Sequence, residues 1–164
     1  MAPCRRHGVY TKIEKINAIF SFIMSTPISE TVICKASANT IWKALTDPAE
    51  MKVWYFTMID FEPIVGNRFY FYEPGENKKF KHACEILEII PDAKLSHTWT
   101  YPELTKGSSI VTWHLQEENG YTAVTLTHEG LESFADGGPD FVRTNFEAGW
   151  HEILGKSLKE YIEK

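Results

Sequence analysis

ASANTIWKALTDPAEMKVWYF, Ala36 to Phe56, packs two helix starts and an aromatic-rich end into a single short stretch. Ser37 is placed to cap a short helix carrying Ile41, Trp42 and Leu45. Asp47-Pro48-Ala49-Glu50 then supplies a cap acceptor, a proline at the first helical position, where its missing N–H costs nothing, and a glutamate three residues after the cap. Two short helices in direct succession are therefore predicted, delivering Trp54, Tyr55 and Phe56 to whatever follows.

Outward from this stretch the grammar changes to strands. ISETVICK precedes the helix pair. After it come TMIDFEP, RFYFYE, KFKHACEILEII, KLSHTWTY, SSIVTWHLQ and YTAVTLTHEG, divided by turn residues such as Val65-Gly66-Asn67, Pro74-Gly75-Glu76-Asn77, Pro91-Asp92-Ala93 and Glu118-Asn119-Gly120. This predicts an antiparallel meander of about six strands. Leu95, His97, Trp99 and Tyr101 fall on one face, as do Val111, Trp113 and Leu115, and then Val124, Leu126 and His128; these faces are expected to point inward. From Pro139 the period becomes helical through Val142, Phe146, Trp150, Ile153, Leu154, Leu158 and Ile162, predicting one helix of about 25 residues, roughly 37 Å long. Gly149 and Gly155 lie within it, and close approach to the sheet is the expected reason for them.

The 164 residues suit one domain with a real core. Ten Phe, seven Tyr and five Trp make the chain rich in rings, as a wide core or a lined cavity requires. Met1 to Pro27 stands apart. Ile13, Ile16, Phe20 and Ile23 recur there at helical spacing, and two readings remain open: an added helix or arm, or a stretch upstream of a natural start at Met24. Arg5, Arg6, Lys12 and Lys15 against Glu14 give this segment +3, so the net charge of −5 leaves −8 on the rest. An acidic body argues against nucleic acid as the partner. Cys4, Cys34 and Cys84 are odd in number and fit no zinc or redox motif, which points to a reducing, cytoplasmic setting. No apolar run approaches the roughly 20 residues of a membrane span.

The succession ASANTIWKALTDPAEMKVWY, Val65-Gly66-Asn67-Arg68-Phe69, CEILEIIPDAKLSHTW, SSIVTWHLQEENGYTAVTLTHEG and NFEAGWHEILGKSLKEYI resembles the START-like (SRPBCC) superfamily over about residues 28–164. Within it the branch related to the C-terminal domain of the activator of heat-shock-protein-90 ATPase is the most similar. The resemblance implies an α+β helix-grip fold: a curved antiparallel sheet wrapped around a long C-terminal helix, with the two short helices closing one end of a cavity. Where the superfamily commonly shows two glycines at the turn before the third strand, this chain has Gly66-Asn67, and Cys84 replaces a common glycine.

On that arrangement, the candidate ligand-binding residues are Trp54, Phe69, Phe71, Trp99, Trp113, Phe146 and Trp150, with His97 and His128 as polar handles. The same rings would equally fill a closed core. His82, His97, His114 and His128 lie on predicted strands, His82 sharing a face with Cys84, but without the close pairing of a metal motif, so no metal or other cofactor is expected. Neither a nucleophile with its base nor paired carboxylates on an apolar face occur, and Glu129, Asp136 and Asp140 read as solvated acids near turns. Lys78, Lys79 and Lys81 read as charge protecting a sheet edge. The leading expectation is a small hydrophobic or aromatic ligand held between sheet and helix. A chaperone-related interaction module and a cavity enzyme of cyclase or hydrolase type are the alternatives.

Overall fold

The computed structural model describes residues 7–164, so Met1–Arg6 of the N-terminal extension, with Cys4, Arg5 and Arg6, lie outside the described residues. In chain order the elements are α1 (His7–Ser25), β1 (Ile28–Cys34), α2 (Ala38–Thr46), α3 (Pro48–Trp54), β2 (Arg68–Tyr72), β3 (Lys81–Ile90), β4 (Lys94–Trp99), β5 (Ser109–Glu118) and β6 (Tyr121–Glu129). Short 3₁₀ turns at Leu131–Gly137 and Pro139–Phe141 lead into α4 (Arg143–Glu152), which continues as a π-helical stretch, Ile153–Leu158, and a last turn, α5 (Lys159–Ile162).

The two helix starts form as their residues dictate. The Ser37 hydroxyl accepts from Thr40 N–H at 3.2 Å and the Asp47 carboxylate from Ala49 N–H at 2.8 Å, with Pro48 opening α3. Each cap satisfies an orphan donor at the N-terminus of a short helix, a contribution of about 1 kcal/mol. Ile41, Ala44, Leu45 and Met51 sink into the core from one side of the pair.

The six strands form one curved antiparallel sheet in the order β1-β6-β5-β4-β3-β2, so the chain's first strand pairs with its last and β2 lies at the other edge. Alternation sets which side chains enter. Leu95, His97, Trp99 and Tyr101, then Val111, Trp113 and Leu115, then Val124, Leu126 and His128 are all buried, as their spacing predicts. The β5–β6 hairpin turns on Asn119 and Gly120, both at positive φ, the geometry that a two-residue loop demands and that these two residue types tolerate.

Three sequence-based expectations are corrected. TMIDFEP is not a strand: Ile59 makes a single bridge to Tyr70, because Asp60 turns to positive φ and Pro63 follows. The C-terminal helix starts at Arg143 rather than Pro139, since Pro139 opens only a 3₁₀ turn and Val142 is extended and exposed. Its two glycines do not touch the sheet, for a Cβ at Gly149 or Gly155 would meet nothing within 4 Å. A further detail concerns Asn67, which is not at positive φ. Its side chain instead ties the β2 approach together, accepting from Glu62 N–H and donating to the Asp60 carbonyl, each at 3.0 Å.

The C-terminal helix lies in the curve of the sheet. Trp150, Leu154 and Leu158 form its buried stripe, and burying each leucine contributes about 1.5–3 kcal/mol. At its far end Lys159 Nζ donates to the Ile33 carbonyl and Glu163 accepts from Lys35 N–H. α1, in contrast, exposes Ile13, Ile16, Ile19, Phe20 and Phe22.

Candidate functional site

The inner face of β4 and its continuation hold the residues around which the site is built. Trp99 is the hub, with its ring 5.1 Å from Trp150, 5.3 Å from Phe71 and 4.6 Å from His82 by centroid. Its indole N–H donates to the Tyr101 hydroxyl at 2.9 Å.

A directional chain of hydrogen bonds fixes the helix above this hub. Trp150 can only donate, so its contact with His128 Nδ1 at 3.0 Å makes Nδ1 the acceptor and leaves the imidazole proton on Nε2. That N–H is then the donor to Ser109 Oγ at 2.7 Å, and the Ser109 hydroxyl donates to the Trp99 carbonyl at 3.2 Å. Both ring nitrogens of His128 and the Ser109 hydroxyl thus have partners, and His128 takes part as a neutral ring. Burial, with His97 and His82 nearby, pushes its pKa down to about 3. His97 is likewise held near 4, burial outweighing its bond to the Thr98 carbonyl.

Beside Trp150 the sheet and helix separate into a cleft of about 490 Å³. Trp99, Tyr101 and Trp150, each only 3% exposed, make its floor, and Phe56, Phe80, Phe141 and Phe146 its walls. Gly149 and Ile153 bound it from the helix. The open space above Gly149 Cα is part of this cleft, which gives the glycine a role the helix alone does not explain. The switch to π-helical bonding begins at Ile153, and such bulges are frequent at functional sites. Glu73, Asp140 and Glu152 bring carboxylates to the rim.

Eight of the nine candidate residues fall into two groups, and Trp54 stands apart from both. Trp99, Phe146 and Trp150 line the cleft, with His128 immediately behind Trp150. Phe69, Phe71, His97 and Trp113 lie deeper, around a residual void of about 10 Å³ shared with Tyr55 and Met51, too small for an organic molecule. Trp54 packs edge-on to Trp113 and donates its indole N–H to the Ala44 carbonyl, away from the cleft. Of the aromatic triplet, Phe56 alone reaches the cleft. Glu73, Phe80, Phe141 and Ile153 also line the cleft, although the sequence does not mark them as site candidates.

Among the described residues, two buried side-chain polar atoms lack hydrogen bonds, Tyr55 Oη and His82 Nε2. Burial raises the Tyr55 phenol well above its usual range and lowers His82. His114 is exposed, and among the described residues no cluster of three or more His, Cys, Asp or Glu could hold a metal ion. Lys78, Lys79 and Lys81 lie over the rings of Tyr72, Phe80 and Tyr70 at the β2–β3 edge, and Lys79 pairs with Asp140 at 2.7 Å.

The sequence of this fold matches the model of one family, described as Activator of Hsp90 ATPase homolog 1-like protein, over residues 35–163. The chain belongs to this family. Among solved structures, a protein of Mesorhizobium loti is similar at 23% identity and a TM-score of 0.68, over 84% of this chain and 97% of that one. The Aha1 dimer of Colwellia psychrerythraea is similar at 24% identity and a TM-score of 0.67, covering 84% and 96%. CalU16 of Micromonospora echinospora follows at 23% and 0.63, covering 83% and 75%. These likenesses establish the START-like helix-grip architecture. No curated protein matches the chain.

Proposed function

We propose that this member of the family binds a small hydrophobic or amphipathic molecule in the cleft between sheet and C-terminal helix. The observation that carries the reading is the cleft itself: about 490 Å³ floored by Trp99, Tyr101 and Trp150, with Gly149 leaving its helix side open. That volume and ring-rich lining are those of small-molecule sites, where a few polar groups fix orientation. A helix-grip family, in which the grip leaves such a space, supports the same reading. A cytoplasmic setting belongs to this reading, with Cys34 and Cys84 free and buried, and no described helix long and apolar enough to cross a membrane.

Native mass spectrometry of the protein purified gently from its own cells tests the proposal. A mass excess that disappears on denaturation is the expected result. An unliganded protein that also fails to bind any member of a panel of aromatic and lipid-like compounds would overturn it.

A further inference from the structure

Resting on the cleft-binding reading, we propose that the ligand carries a protonated amine, received by Glu73 at the cleft wall. Among the described residues, the charged ones lining the cleft are Glu73, Asp140 and Glu152, with no lysine or arginine. Asp140 is paired with Lys79 at 2.7 Å and Glu152 with Lys156 at 3.0 Å. Glu73 is different. Its carboxylate faces His82 Nε2 at 3.4 Å, and that nitrogen has no hydrogen bond although the side chain is fully buried.

The tautomer explains the mismatch. His82 Nδ1 lies 3.1 Å from the Phe80 carbonyl, which can only accept, so the single proton of a neutral ring is on Nδ1. Nε2 then presents a lone pair to a carboxylate. Burial favours this neutral form. The two groups face each other as acceptors, and among the described residues no side chain is seen donating to the Glu73 carboxylate, so its charge faces the cleft and His82 acts as a positioning residue behind it. An ammonium group offers three donors and a charge, which a carboxylate without a donor of its own is suited to receive. The ring faces around the cleft favour the same charge, since an aromatic face attracts a cation.

The test uses three probes that share one ring: 2-naphthylmethylamine, 2-naphthylmethanol and 2-naphthoate, titrated calorimetrically into the whole chain at pH 7. The amine is expected to bind about tenfold more tightly than the alcohol, with the carboxylate weakest, as one charge-assisted hydrogen bond would produce. Glu73→Gln, a half-exposed position whose folding circular dichroism can check, should bring the amine level with the alcohol, whereas Glu118→Gln, at an exposed position outside the cleft lining, should preserve the preference. Equal binding of amine and alcohol to the native chain would overturn the amine proposal and leave cleft binding standing. A preference that survives Glu73→Gln would also overturn it. Binding of none of the three would remove both readings together.

Discussion

Lowering the pH should unfold this domain through its buried histidines before its carboxylates are fully protonated. His97 and His128 are buried as neutral rings with pKa values near 4 and 3, against about 6.5 in an unfolded chain. The native pKa values are depressed, so the unfolded state binds more protons at every pH between these limits. The associated stability is fully present above pH 6.5 and is lost as pH falls toward 4 and 3. Between pH 7 and 4.5 each ring contributes a loss of about 2–3 kcal/mol, about 5 kcal/mol for the pair. His82, also lowered, adds in the same direction. Against the 5–15 kcal/mol of an ordinary domain, that loss is most or all of the stability. Urea unfolding followed by far-ultraviolet circular dichroism at pH 7.5, 6.0, 5.0 and 4.5 would measure it, with the midpoint falling steeply below pH 6.5. Nitrogen NMR of the folded state at pH 5.5 separates the histidines from the acids, and should show His128 neutral with its proton on Nε2. A stability unchanged from pH 7.5 to 4.5, or a protonated His128 in the folded protein at pH 5.5, would refute the reasoning.

Other substitutions probe single links. Gly149→Ala should stabilise the helix by about 0.5–1 kcal/mol, since its methyl meets nothing, whereas Gly149→Leu should keep the fold and abolish binding of 2-naphthylmethanol by filling the cleft; thermal unfolding and calorimetry report the two effects. Trp150→Phe removes the donor to His128 Nδ1 and should cost about 1–3 kcal/mol in urea unfolding, while retention of full stability would show that the hydrogen-bonded chain is dispensable. Gly107→Ala would drive a methyl into the Ser133 carbonyl and the Phe134 ring, with an expected loss of about 1–3 kcal/mol and a lower thermal midpoint. Asp47→Ala removes the α3 cap and should cost about 0.5–2 kcal/mol by the same measurement.

The fold was legible where short-range chemistry decides it. Ser37 and Asp47 announce their helices because a cap needs only its own next few residues, and Val111, Trp113 and Leu115 announce their inward face because the strand period is two. Legibility failed where a local signal competed with the packing around it. Pro139 suits a helix start, yet the chain spends Pro139–Phe141 in a 3₁₀ turn and begins its helix only after the extended Val142. Gly149 is visible in the sequence as a helix-weakening residue, but whether its missing side chain leaves room for a sheet or for a cleft depends on atoms far along the chain. The candidate lining shows the same limit. Alternation places Phe71, Trp99 and Trp113 on inward faces, and cannot tell that the space closes at Phe71 and Trp113 while it opens beside Trp99. Glu73 ends RFYFYE in phase with Phe69 and Phe71, and Phe80 enters KFKHACEILEII in phase with His82 and Cys84, so alternation aims both inward, but the strands stop at Tyr72 and resume at Lys81, and it is the turn between them that brings both residues to the cleft.

The location of the cleft is best tested by the indole N–H resonances of the five tryptophans during a titration with 2-naphthylmethanol. The account predicts saturable shifts for Trp99 and Trp150, whose rings form the floor, with Trp42 on α2 and Trp54, bonded to Ala44, unmoved. Saturable binding that moves Trp42 or Trp54 and spares Trp99 and Trp150 would contradict it.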